Sequence, residues 1–194
     1  MYEVELKYPV SRAGELEERL DRLGAVWHGA ADQVDRYFSH PRRDFAAADE
    51  ALRLRSTSQG VAITWKGPRL EAAAKTRREI ELPVAGAGEP GAAGTPRTTL
   101  DRWTELLEAL GFRRVREVAK RRRLATVAWQ GAVIEVAVDR VAELGEFVEL
   151  ELRADAAGIA AAVDRVESLA RHLGCGQPER RSYLEMLLEP RPGR

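Results

Sequence analysis

The chain has 194 residues, 44% hydrophobic and 32% charged, and its 31 basic and 31 acidic side chains balance to a formal net charge of zero. That length suits one large domain with a packed core, and the neutrality argues against a nucleic-acid binder driven by overall charge. No apolar run reaches the ~20 residues of a membrane span, and Glu3 and Glu5 fall where a signal peptide needs apolar residues. A cytoplasmic protein without nucleic-acid or membrane partners is expected. The single cysteine, Cys175, excludes an internal disulfide and reads as a bystander in a Gly-Cys-Gly turn.

In chain order, residues 2–8 alternate apolar and charged as a half-buried strand does, and Pro9 ends the run. Ser11 reads as the N-cap of a helix with Ala13, Leu16, Leu20 and Leu23 on one face and Gly24 at its end. A second strand is expected at 33–39, then a polar loop with some helical turn at 42–50. Residues 51–56 and 61–67 form a hairpin about Gln59-Gly60, and 75–83 another strand. The glycine-, alanine- and proline-rich stretch 85–96 reads as a mobile surface loop. Thr98 or Thr99 caps a helix carrying Trp103, Leu106, Leu107 and Leu110, closed by Gly111. Strands follow near 115–123, 124–130, 132–139 and 146–153. Asp155 then starts a longer helix, and a short one covers 182–188. Eight or nine mostly antiparallel strands and three or four helices result. They make a single domain over 1–189 with a disordered tail at 190–194.

The charges have a pattern of their own. Glu3 and Glu5, Glu79 and Glu81, and Glu149 and Glu151 are Glu-x-Glu pairs, each placing two carboxylates on one strand face. Like charges that close repel unless a cation lies between them. Bases repeat with the same spacing: Lys7 follows Glu5, Arg53 pairs with Arg55, and Lys120 pairs with Arg122. One such strand is best read as facing solvent. Six strands with paired charges of both signs favour a sheet curled into a barrel with a charged, wet interior, its apolar faces covered by helices. Hard carboxylate ligands suit magnesium or manganese, and arginine and lysine neutralise phosphate oxygens. The ligand class implied is a nucleotide or polyphosphate with its metal. GxxxxGK[ST] is absent, so this is not a P-loop protein.

Glu3-Val-Glu5-Leu-Lys7 is also the ExExK pattern. It is followed in order by Asp35-Arg-Tyr37-Phe38, ALRLR, TWKGP, RREIE, a Lys-x-Arg strand, VDRVAELGEFVELEL and a closing PERRSYLEMLL. The ordered set resembles the CYTH superfamily of triphosphate tunnel enzymes, and its Arg-Ser-Tyr ending resembles class IV adenylate cyclases. The resemblance implies an α+β fold: an eight-stranded antiparallel β-barrel, the triphosphate tunnel, with helices packed outside. By motif, Glu3, Glu5, Glu149 and Glu151 are implied as metal ligands, with Asp139 serving a second metal. Glu79 and Glu81, from an acidic tunnel strand, join that set. Lys7, Arg53, Arg55, Lys66, Lys120 and Arg122 are implied as the catalytic phosphate clamp, and Arg77 is added to the substrate-binding set because it shares a face with Glu79. The run Lys120–Arg123 leaves two registers open, with Arg121 and Arg123 as the other inward pair.

Three functions stay open on this reading. The foremost is an adenylate cyclase of the class IV type, taking ATP to cyclic AMP and pyrophosphate with Mg2+ or Mn2+. The second is a triphosphatase acting on inorganic triphosphate or thiamine triphosphate. The third is a polyphosphate- or nucleotide-binding module without turnover. The resemblance also implies a homodimer. His28, His40 and His172 have no metal-ligand spacing and read as surface residues; Tyr37 and Phe38 read as packing residues before base-stacking ones. Tyr183 reads equally as helix packing and as part of a tunnel mouth.

Overall fold

The computed structural model describes residues 2–70, 76–86 and 95–189, with the side chains at 69–70, 76–77 and 85–86 outside that description. The expected tail at 190–194 and most of the expected loop at 85–96 therefore lie outside the described residues. The elements run β1 (Tyr2–Val10), α1 (Ala13–Arg22), β2 (Val26–Ser39), β3 (Ala51–Thr57), β4 (Gly60–Leu70) and β5 (Thr76–Gly86). They continue α2 (Pro96–Ala109), β6 (Arg113–Trp129), β7 (Ala132–Val141), β8 (Gly145–Ala154), α3 (Ile159–His172) and α4 (Tyr183–Leu188).

All eight strands join one sheet in the order β1-β8-β7-β6-β2-β3-β4-β5, and every ladder is antiparallel. The sheet curls until its edges approach, close enough that the charge of Glu79 on β5 acts on Glu3 of β1. Among the described residues no ladder joins β1 to β5. The result is a half-barrel, open along that seam.

Several boundaries differ from the sequence reading. β2 starts at Val26, not near 33, because β6 pairs with it as far as Val26↔Thr126, across an irregularity between Trp27 and Gly29. The weak pattern of His28-Gly-Ala-Ala-Asp is made strand by the partner's hydrogen bonds. β6 is one strand where two were expected, since no turn residue separates Arg123 from Leu124. The N-cap of α1 is Arg12, without a side-chain bond, and not Ser11. α2 is capped by Thr95, whose side chain accepts the Thr98 N–H at 3.3 Å, with Pro96 at its start. Asp155 accepts the Gly158 N–H at 2.8 Å in the turn before α3, so that helix begins at Ile159. Leu-Gly follows α1, α2 and α3, and Gly24, Gly111 and Gly174 all take positive φ there, as helix ends require.

Alternation along the strands sends apolar residues outward beneath α1, α2 and α3. Leu20, Val166 and Leu169 bury Val4, Val136 and Leu150, while Leu100 and Leu107 of α2 cover Leu52 and Leu54. Truncating any of these leucines to alanine costs about 2–5 kcal/mol. Arg36 fastens α2 to the sheet, donating to Glu117 and Asp101 at 3.0 Å and to Thr104 Oγ1 at 2.8 Å. α4 departs from the expectation that the helices lie outside. Its Tyr183 packs with Val118, Val141 and Phe147, which share the inward face with Lys120, Asp139 and Glu149. The lumen turns apolar at that end, and α4 covers it. No helix among the described residues is long and apolar enough to cross a membrane.

Candidate functional site

The inward face encloses a cavity of about 760 Å³. Glu3, Glu5, Lys7, Glu79, Glu81, Glu149 and Glu151 all line it, as do Arg53, Arg55, Lys66, Lys120 and Arg122. Cross-strand register explains the assembly. Lys7 faces Glu149, Glu5 faces Glu151, Lys66 faces Glu79, and Thr64 faces Glu81. Residues far apart in the chain become neighbours because the sheet brings like-facing positions of adjacent strands together.

The cations are fixed from behind by two buried aspartates. Asp35 on β2 takes Arg55 in a two-pronged bond, Nε to Oδ1 at 2.6 Å and the terminal nitrogen to Oδ2 at 2.7 Å, with Arg53 3.5 Å away. Burial alone would push the Asp35 carboxyl up. The charge of Arg53, then the bond and charge of Arg55, outweigh it and hold the group well below the usual carboxylate range. Asp139 on β7 repeats the device. It accepts from Arg122 at 2.7 and 2.6 Å, from Lys120 at 3.2 Å and from the Tyr183 hydroxyl at 3.0 Å.

Arg122 also bonds Glu149, and Lys66 bonds Glu79. Thr64 links the middle of the wall, accepting from Arg53 at 3.3 Å and donating to Glu81 at 2.8 Å. Burial, followed by the charge of Arg122, lowers the Lys120 ammonium to about 8.

The acidic side is different in kind. Glu5, Glu151 and Glu135 stand in a row across β1, β8 and β7. Burial, then the charges of Glu3, Glu135 and Glu5, push the Glu151 carboxyl up to about 7. Glu3 is likewise raised, first by burial and then by Glu79. As the side chains stand, no group of three or more His, Cys, Asp or Glu among the described residues is arranged to hold a metal ion. The donor chemistry nevertheless fits one: hard oxygens, mutually repelling, with the charges of Lys66 and then Arg153 opposing that of Glu3, and Arg153 that of Glu151.

Among the described side chains, every site residue singled out from the sequence except Asp139 lines the cavity. Asp139 lies fully buried behind Lys120 and Arg122, its oxygens taken by donors, and shares the Arg122 terminal nitrogen with Glu149. The side chain of Arg77 lies outside the described residues. The register at 120–123 is resolved: Lys120 and Arg122 point in, while Arg121 faces Asp32 at 3.7 Å and Arg123 bonds Glu17.

Asp35 and Glu135 escaped the sequence reading because neither belongs to a Glu-x-Glu pair. Asp35 does sit in a quoted motif beside Tyr37, which lines the cavity as well. His28 bonds Thr126, His40 packs on Phe45 and Phe112, and His172 on Trp129, so none joins the site by coordination. Burial pushes the Cys175 thiol up to about 11, away from reactivity.

The CYTH domain model matches residues 1–183. The chain belongs to the CYTH family. A relative from Methanocaldococcus jannaschii, named "putative adenylate cyclase", is 32% identical over 151 residues, 78% of this chain and 77% of that protein. A solved protein of Pyrococcus horikoshii superposes with a TM-score of 0.79 at 36% identity, covering 96% of this chain and 98% of that one. At 15% identity a Hippeastrum protein shares the fold alone, with a TM-score of 0.64 over 99% of this chain and 98% of its own. Its structure is described as that of a "putative adenylyl cyclase" with a dominant triphosphatase activity.

Proposed function

We propose that the cavity binds a nucleoside triphosphate with a divalent metal and that the protein is an adenylate cyclase of the class IV type. The observation that carries this reading is the pairing of two preset cation clusters, Arg53–Arg55 and Lys120–Arg122, with a repelling row of carboxylates inside one cavity. Its volume, about 760 Å³, is in the range that takes a small organic ligand. The cyclase-named relative at 32% identity supports the choice of chemistry.

In a cyclase the ribose 3′-oxygen attacks the α-phosphorus, the bond to the bridging oxygen breaks, pyrophosphate leaves and the hydroxyl proton is released. The chain's part is electrostatic. Guanidinium and ammonium groups held by Asp35 and Asp139 meet phosphate oxygens without first reorganising, which is where fixed charges contribute most. Glu3, Glu5, Glu149 and Glu151, with Glu135, would hold Mg2+ or Mn2+. When bound, such an ion polarises phosphoryl oxygens and neutralises developing charge.

The test is incubation with ATP, inorganic triphosphate and thiamine triphosphate, each with Mg2+ or Mn2+. Cyclic AMP and pyrophosphate from ATP are expected. Orthophosphate alone would make the protein a triphosphatase, the activity named for the Hippeastrum structure. Tight binding without any product would make it a binding module.

A further inference from the structure

We infer that Tyr183 is a positioning residue for the phosphate site, its ring face holding Lys7 and Lys120 together at the end of the lumen. The inference rests on the proposed triphosphate reading and deepens it.

Lys7 comes from β1 and Lys120 from β6, and both side chains are almost wholly buried. Two ammonium groups in one low-dielectric corner repel. The Tyr183 ring lies beneath both, its centroid 4.1 Å from the Lys7 nitrogen and 5.1 Å from that of Lys120. The negative face of an aromatic ring attracts cations, and more strongly when they are desolvated. The remaining partners are asymmetric. Lys120 has Asp139 at 3.2 Å, with Asp35, Glu149 and Arg122 acting on it by charge. Lys7 donates to the Arg181 carbonyl, its charge acts on Glu179, and its nitrogen is 5.9 Å from the Phe147 ring.

The ring is itself fixed. Its hydroxyl donates to Asp139, Phe147 meets it edge-on at 5.2 Å, and Ser182 and Glu185 form a capping box that starts α4. The strand of Lys7 holds the same segment, since the Glu179 N–H donates to the Lys7 carbonyl at 2.7 Å. The C-terminal helix thus supplies the piece that lets two lysines from distant strands share one place in the site.

A packing role and an electrostatic one separate under fluorination, which weakens the negative face of a ring while nearly keeping its shape. Phenylalanine and its mono-, di- and trifluoro forms would be installed at position 183. Binding of inorganic triphosphate with Mg2+ would be followed by calorimetry, and the Lys7 and Lys120 ε-methylene signals by NMR without ligand. Tyr183→Phe keeps the ring and is expected to bind within about threefold of the unaltered protein. Affinity should then fall stepwise with fluorine, by about tenfold across the series.

Tyr183→Leu should lose the upfield ring-current shift of both lysines, and Tyr183→Phe should retain it. A flat fluorine series overturns the inference, as does a Tyr183→Phe loss as large as that of Tyr183→Leu, which would move the role to the hydroxyl. Should the leucine variant not fold, the fluorine series decides alone. If the unaltered protein binds no triphosphate, the proposed function fails. The lysine signals then decide separately, and signals with no upfield shift in the unaltered protein overturn the inference.

Discussion

Arg55 on β3 and Asp35 on β2 stand directly opposite each other in their ladder, and the guanidinium meets both carboxylate oxygens, at 2.6 and 2.7 Å. Arg122 and Asp139 repeat that relationship between β6 and β7, at 2.7 and 2.6 Å. Each buried acid thereby turns an arginine two residues from a second base, so that a pair of cations is aimed at the cavity from each side.

Arg55→Ala should weaken binding of inorganic triphosphate by more than ~1 kcal/mol, the scale of a charge-assisted hydrogen bond. Inward cations alone would repel, so sequence reasoning leads one to expect a gain in stability when one is removed. Asp35 reverses that expectation. It would keep only Arg53, at 3.5 Å, as its close base, so the melting temperature should fall. A titration showing unchanged affinity would sink the inward assignment of this strand.

Asp139→Asn removes the carboxylate that Lys120 and Arg122 both hydrogen-bond, leaving Glu149 as the acid whose charge acts on both. Breaking a buried pair from one side costs about 3–5 kcal/mol. Urea denaturation should show a loss of that order. A change under ~1 kcal/mol would mean that Glu149 alone balances the cluster.

The acidic row gives the protein a pH signature in metal-free buffer. Glu151 titrates near 7 when folded, above the ordinary value of 4.5, so the folded state holds its proton more tightly. Stability from this group is full below about 4.5 and is lost as pH rises through about 7. Glu151→Gln should therefore raise the melting temperature at pH 8 and leave it little changed at pH 4. An equal shift at both would exclude repulsion within the row as its source.

Glu5→Ala should abolish metal-dependent turnover while the protein stays folded, because this carboxylate adds nothing to the apolar core and repels its neighbours. Circular dichroism and the product assay read the two halves of that statement. Near-normal activity at saturating ATP would remove Glu5 from the ligand set.

Much of the fold could be read from period-two alternation, which depends only on neighbours along the chain. Val4, Leu6 and Tyr8 against Glu3, Glu5 and Lys7 already divide outside from inside, and the same division on five further strands placed the charged residues in the lumen. Boundaries were less legible where a partner strand overrides weak local preference, as at His28–Gln33 in β2. Capping misled at Ser11 because the Ala13 N–H is taken at 3.2 Å by Glu146 of β8, a distant residue, and the helix starts after Arg12.

The sequence by itself determined the two faces of the sheet, the paired acids and bases of the cavity and the family, since these are properties of spacing. Only the tertiary structure decided which cations have a buried partner and that Lys120 and Arg122 turn inward. It also decided that Asp139 stands behind them and that α4 enters the lumen end with Tyr183 beneath two lysines. Those depend on cross-strand register and on contacts between residues more than a hundred positions apart, as with Lys7 and Arg181. Local periodicity carries no information about either.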